Sequence, residues 1–362
     1  MIHPLYEKYA HLLVAYCCDI QPGETVAIHV DTPAEVLARA VYREVLKADA
    51  LPILRLRYPE VLEDLLELAS DSYYQRTPNF ELSEAEQIQN SIHISSTTNS
   101  RSLQNSDKDK LSALAKRNQP VQELRLRNTK WVVTRFPTHA AAQDAGMSLS
   151  EYERFVYDAM FLFDDDPLAK WLDMHDFQAR LITRLEKANE IRIIGPDTDL
   201  RLNVKGREWI NSDGRRNMPS GEVFTGPHEA SATGSIRFGV PASVSGIDIS
   251  DIRLRFEGGK VVESSAAKGQ DFLLSQLDTD AGARFLGELG IGTNYRIKTP
   301  TRSTLYDEKI GGTIHLALGR SYPETGGKND SAIHWDMICD LRSGGAIYLD
   351  GELFQENGLF VE

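Results

Sequence analysis

Residues 25–56 leave this chain the fewest choices. Residues 25–30 (TVAIHV) form a short apolar run of strand type. Residues 34–48 then place Leu37, Ala40, Val41, Val45 and Leu46 at helical spacing, and residues 53–56 return to strand type. Thr32 stands where an N-cap belongs, with Pro33 at the first helical position. Strand, helix and strand with short connections make a βαβ unit, so a parallel sheet begins here. The alternation continues: helix over 61–70, strand over 91–95, helix over 107–117, strand over 130–134. A last helix over 148–161 opens with Ser148 and Glu151 at capping-box spacing. A first helix over 5–20 precedes the unit and is stopped by Pro22-Gly23. Residues 1–185 are therefore expected to form one α/β domain with a mainly parallel sheet. This half contains no G-x-G-x-x-G and no P-loop, so nothing supports phosphate cradling by either motif.

A helix over 173–188 bridges into a second half of different character. From Glu190 onward the chain breaks into short strands and glycine-rich turns, with Gly258-Gly259 as a hairpin signal. Residues 186–362 are expected to form a mainly β, barrel-like domain of α+β type, with one inserted helix over 278–288. The acidic turn Asp164-Asp165-Asp166 lacks the spacing of a calcium loop and reads as a helix boundary.

With 362 residues the chain can bury a sizeable core, and two domains are expected. Its formal net charge of -13 argues against nucleic-acid binding and suits a pocket that attracts cations. Cys17, Cys18 and Cys339 show no paired framework and no C-x-x-C spacing. They read as buried small apolar residues in a reducing compartment. No stretch has the make-up of a secretory signal or the roughly 18 apolar residues of a membrane span, so a cytoplasmic location is expected.

The candidate chemistry gathers between Asp307 and Leu341, which hold two of the nine histidines, His315 and His334. In an extended strand, residues i and i+2 share a face, so His334 and Asp336 would project side by side with Trp335 behind them. Residues 313–318 (TIHLAL) would present His315 in the same way. A lone H-x-D triplet is more often a core histidine satisfied by a carboxylate, so the triplet alone carries little. Two more acids lie in glycine-rich settings. Gly221 directly precedes Glu222, and Glu288 is surrounded by glycines and apolar residues at the end of the expected 278–288 helix. A buried carboxylate needs a partner or a cation. Three carboxylates and two imidazoles suit Zn, Mn, Co or Fe(II) better than Ca or Mg. Five ligands exceed the three typical of one catalytic zinc, which argues for two ions sharing a bridging carboxylate.

The motifs MPSGEVFT at 218–225, LGELGIGTN at 286–294, DEKIGGTIH at 307–315 and NDSAIHWDMI at 329–338 resemble the aminopeptidase T / aminopeptidase S family of dinuclear metallo-exopeptidases. The resemblance extends to KWVV at 130–133 and so covers nearly the whole chain. It implies a cytoplasmic metallo-aminopeptidase that acts on peptides, holds two divalent ions and assembles as a homodimer. By that resemblance Glu222, Glu288, His315, His334 and Asp336 map onto metal ligands, and Tyr322 onto a tyrosine at the metal centre.

Glu308 is the candidate general base, with a salt bridge to Lys309 or Arg320 as its alternative role. Tyr322 is a candidate oxyanion donor or metal ligand. Two other readings stand beside the peptidase: another metal-dependent hydrolase, or a mononuclear 2-His-1-carboxylate enzyme built on His315, His334 and Asp336. A non-catalytic binding protein is the third, and nothing in the sequence favours it.

Overall fold

The computed structural model describes residues 2–244 and 246–361. It divides into two compact units, one of residues 1–169 with 214–219 and one of residues 170–213 with 220–362. The division falls inside the Pro167–Leu185 helix, so most of that helix belongs with the second unit.

The first unit is built on a five-stranded parallel sheet in the order Leu51–Arg57, Thr25–Asp31, Asn90–Ser95, Lys130–Arg135, Asn217–Met218. The expected βαβ unit is present, with Glu35–Lys47 as its crossover helix. Its start differs from expectation. Thr32–Ala34 form a 3-10 turn, and Thr32 does not cap the helix. The Ser148 capping box is present, and the Asp166 carboxylate accepts from the Ala169 N–H at the start of the next helix. The helix expected over 107–117 runs on as Lys108–Asn128, straight through Pro120. Proline removes only one backbone donor, and a half-exposed helix side can absorb that loss.

The sheet's two faces are unlike. Val26, Ile28, Val30, Ile92, Ile94 and Val132 all point one way and are essentially inaccessible to solvent. Each such side chain contributes about 1.5–3 kcal/mol by leaving water. The residues between them face the other way and mix polar His29, Ser91 and His93 with Ala27, Trp131 and Val133.

The mainly β character of the second unit is that of two antiparallel sheets. One has nine strands, among them Glu190–Gly195, Thr198–Asn203 and Ile247–Glu257. The other has five, in the order His334–Asp340, Thr313–Gly319, Leu286–Gly292, Glu222–Thr225, Ile210–Ser212. The sheets share one core. Leu289, Ile291, Leu316, Leu318 and Met337 from the five-stranded sheet join Ile191, Leu200 and Leu254 from the other.

The inserted helix expected over 278–288 is not there. The helix is Gln270–Leu277, and Glu288 lies on the Leu286–Gly292 strand. From Glu288 to Gly292 the apolar residues alternate with glutamate and glycine, which is the period of a strand, and repeated glycine disfavours a helix. Among the described residues no helix is long and apolar enough to cross a membrane.

Candidate metal centre

Strand register explains why residues more than a hundred positions apart meet. Across the five-stranded sheet, Glu222 is paired with Gly292, and Phe224 with Gly290, itself opposite His315. One step along, Glu288, Ala317 and Asp336 form the next row, and Gly319 pairs with His334 beyond it. All these residues share one face, because alternate positions along a strand do. The intervening residues, Val223, Leu289, Leu316, Trp335 and Met337, belong to the core on the opposite face. The polar face thus carries Glu222, Glu288, His315, His334 and Asp336, separated by glycine and alanine.

The small residues leave room for the large ones. A Cβ on Gly290 would sit 2.0 Å from Cε1 and 2.1 Å from Nε2 of His315. The imidazole therefore lies across a strand position that only glycine can fill. Gly221, at φ +123°, serves Glu222 likewise: a Cβ there would lie 2.5 Å from the Asn294 Cβ. The fully buried Gln178 steadies that strand by donating to the Glu222 carbonyl (3.0 Å) and the Thr293 hydroxyl (2.9 Å).

Both histidines are held by main chain. His315 Nδ1 lies 3.1 Å from the Glu308 carbonyl oxygen, and His334 Nδ1 lies 2.7 Å from the Arg320 carbonyl oxygen. A carbonyl only accepts, so each Nδ1 carries the proton and Nε2 is turned to the carboxylates. His315 Nε2 is 3.2 Å from Glu288 Oε1 and 3.5 Å from Glu222 Oε2. His334 Nε2 is 3.4 Å from Glu288 Oε2 and 3.5 Å from Asp336 Oδ2. Glu288 thus points one oxygen at each imidazole.

The charges do not balance within the protein. Against the four carboxylates of Glu222, Glu288, Glu308 and Asp336 stands the buried ammonium of Lys309, which pairs with Glu308 and lies 3.4 Å from Glu222 Oε1. Burial pushes Glu308 up to about 8, aided by the charges of Glu222 and Asp336 and opposed by Lys309. Burial alone would lower the histidines. The contact with Glu288 and the charge of Glu222 instead lift His315 to about 10, and Asp336 with Glu288 lifts His334 to about 11. The cluster therefore demands positive charge. Glu222 Oε2 and Asp336 Oδ1 are also buried without a hydrogen-bond partner. Orphaned carboxylate oxygens beside imidazole Nε2 atoms fit a divalent cation of nitrogen–oxygen preference.

Among the described residues three groups of side chains can each offer converging ligand atoms: Glu222, Glu288 and His315; Glu288, His334 and Asp336; Glu308, His315 and Asp336. Glu288 belongs to the first two. Tyr322 is beside them, its ring centroid 5.1 Å from that of His334 and 5.5 Å from that of Phe224. All seven residues singled out in the sequence therefore lie together. Lys309, expected only as a salt-bridge partner of Glu308, also reaches Glu222, which the sequence does not show. The signal was its place next to Glu308, but sequence does not reveal that a lysine is fully buried.

A polar sheet face of carboxylates and imidazoles of this kind fits a metal-dependent enzyme. Residues 3–358 match the thermophilic metalloprotease (M29) family, and the chain belongs to it. Aminopeptidase 2 of Geobacillus stearothermophilus is 28% identical over 92% of this chain and 91% of its own. Aminopeptidase T of Thermus aquaticus is 32% identical over 58% of this chain and 59% of its own. The fold matches that of wild-type AmpT from Thermus thermophilus with a TM-score of 0.84, at 24% identity and covering 99% of both chains.

Proposed function

We propose that this chain is an aminopeptidase of broad specificity in which Glu222, Glu288, His315, His334 and Asp336 would hold two divalent cations, Zn, Co or Mn. The aminopeptidase activity rests on family membership and on relatives named for it. The two-cation reading is carried by one observation: Glu288 is common to two histidine–carboxylate groups and turns one oxygen to each histidine. Glu222 and His315 would complete one cation's shell, and His334 and Asp336 the other's. Bound there, such cations supply Lewis acidity and lower the pKa of water.

The rest is done by the chain's own groups. Glu308 takes the proton of the attacking water and returns it to the leaving amine, held in place by Lys309. Tyr322, whose phenol is kept protonated by burial and by the charge of Glu288, donates to the oxyanion. The surplus of carboxylates anchors the substrate's free α-ammonium, so one residue is removed at a time. Glycine-flanked strands favour tolerance over a tight side-chain pocket. A homodimer in the cytoplasm remains part of this reading, drawn from the family resemblance.

The test is to strip the purified protein with chelator and return metal stepwise while following aminoacyl-p-nitroanilide turnover. Activity is expected to need two equivalents per chain. Full activity at one equivalent, or activity only with iron and oxygen, would replace the two-cation reading.

A further inference from the structure

The polar face of the first unit's parallel sheet is not explained by the peptidase reading. Parallel sheets are normally apolar on both faces, because both are covered. Here strand register places Arg55, His29, His93 and Val133 in one row, and Ile53, Ala27, Ser91 and Trp131 in the next. The Lys108–Asn128 helix lies over this face with basic residues of its own. Between them is a cavity of about 660 Å³, lined among others by Arg57, Arg117, Arg125, His93, Trp131 and Val121. That volume is the size of a small-molecule site.

Glu81 lines the cavity as an acceptor, but donor atoms in the lining (Arg117, Arg125) and next to it (His29, Arg55) are left without partners. His29 and His93 stack with ring centroids 4.5 Å apart. Ser91 Oγ and His93 Nε2 lie 2.7 Å apart, while His29 Nε2 is buried without a partner. The Nε–H groups of Arg55, Arg117 and Arg125 are also buried and unpartnered. The carboxylates nearby are few. Arg57 pairs with Asp31 at 2.9 Å, Arg117 with Glu81 at 3.3 Å, and Arg55 and Arg125 share Glu84. A guanidinium has five donors, so three acids leave most of these four arginines' N–H groups available. Burial, and then the neighbouring arginines, hold both histidines well below their usual range, so they add no charge at neutral pH. Leu65, Leu114, Val121 and Leu126 supply an apolar wall.

We propose that this cavity binds a small molecule carrying an oxyanion, a carboxylate or a phosphoryl group, on an apolar body. The oxyanion is held by Arg117 and Arg125, the pair on the overlying helix, with Arg57 opposite, and the apolar body lies against Trp131 and Val121. Guanidinium groups suit this role because their planar fork matches both carboxylate and phosphate. The site is made wholly of first-unit residues, so it stands or falls independently of the metal centre.

The probes are benzoate and phenyl phosphate, with benzamide as the neutral control, titrated calorimetrically into the metal-loaded full chain. Saturable binding of at least one oxyanion is expected, and the tighter of the two identifies the source chemistry. Arg125→Gln should weaken it about tenfold or more, the effect of losing a charge-assisted hydrogen bond. Leu126→Glu should do the same by repulsion, and since Leu126 is 56% exposed the substitution leaves the fold intact. Glu288→Gln should leave binding unchanged, which separates this site from the metal centre. Absence of saturable binding by either oxyanion would overturn the proposal. So would equal binding of benzamide, or affinity that survives both Arg125→Gln and Leu126→Glu, or affinity that is lost in Glu288→Gln.

Discussion

The parallel sheet of the first unit and the five-stranded antiparallel sheet of the second both bury one face and leave the other polar. They fill the polar face with opposite charge. In the second unit, acids and imidazoles stand on a sheet cleared by Gly290, Gly292, Ala317 and Gly319, and the excess is negative. In the first, neutral histidines lie among arginines and the excess is positive. The histidines show the contrast. His315 and His334 are lifted by carboxylates, whereas His29 and His93 are depressed by burial and by cations. The lesson is a division of labour within each sheet. The apolar face supplies stability, and the strand period hands the other face to chemistry.

The largest effect should come from Glu288→Gln, because it strikes both histidine groups at once. Turnover is expected to fall roughly 10³-fold, about 4 kcal/mol of barrier, with metal content measured alongside. Unchanged turnover would remove Glu288 from the centre of the site. On the opposite face of the neighbouring strand, Leu316→Ala should cost about 3 kcal/mol of folding stability in urea. Activity per folded molecule should change little. If activity falls further than the folded fraction, the two faces are not separable.

Gly290→Ala sharpens the same point from the site side. The added Cβ must displace the His315 ring, so turnover should drop on the order of 10²-fold. Denaturation should shift by only about 1–3 kcal/mol. The smallest effect concerns the first sheet. Unfolded histidines take up protons near pH 6.5, while His93 does so only at about 4 and His29 at about 3. The unfolded chain therefore binds more protons in that window, and stability, full above pH 6.5, declines as pH falls through it. His93→Phe should flatten this acid slope, by on the order of 1 kcal/mol after allowance for solvent screening. Equal slopes in the two proteins would mean that His93 is no more protected than a surface histidine.

Much of this was legible in the sequence, and the limits have physical reasons. The βαβ unit was readable because period 3.6 and period 2 alternate over short distances there. The five site residues were readable because Glu222, Glu288 and His315 sit in glycine-bearing motifs, and His334 and Asp336 stand two apart on one strand. The secondary structure around Glu288 was not. The stretch before it is rich in residues that also suit a helix, and only its non-local pairing with Glu222–Thr225 and Thr313–Gly319 decides the matter. The buried Lys309 was equally hidden, because a lysine is far more often a surface residue. The polar face of the parallel sheet was in plain view as His29, Ser91, His93 and Trp131. Their meaning depended on strand register, which sequence alone left open.

The clamps on His315 and His334 are carbonyl oxygens of Glu308 and Arg320, not side chains. No point substitution can delete such an acceptor, since every amino acid brings one. The imidazoles' tautomers are therefore insulated from mutational drift at those two positions. Whatever side chain stands at those two positions, each imidazole keeps its acceptor and its Nε2 stays turned to the carboxylates.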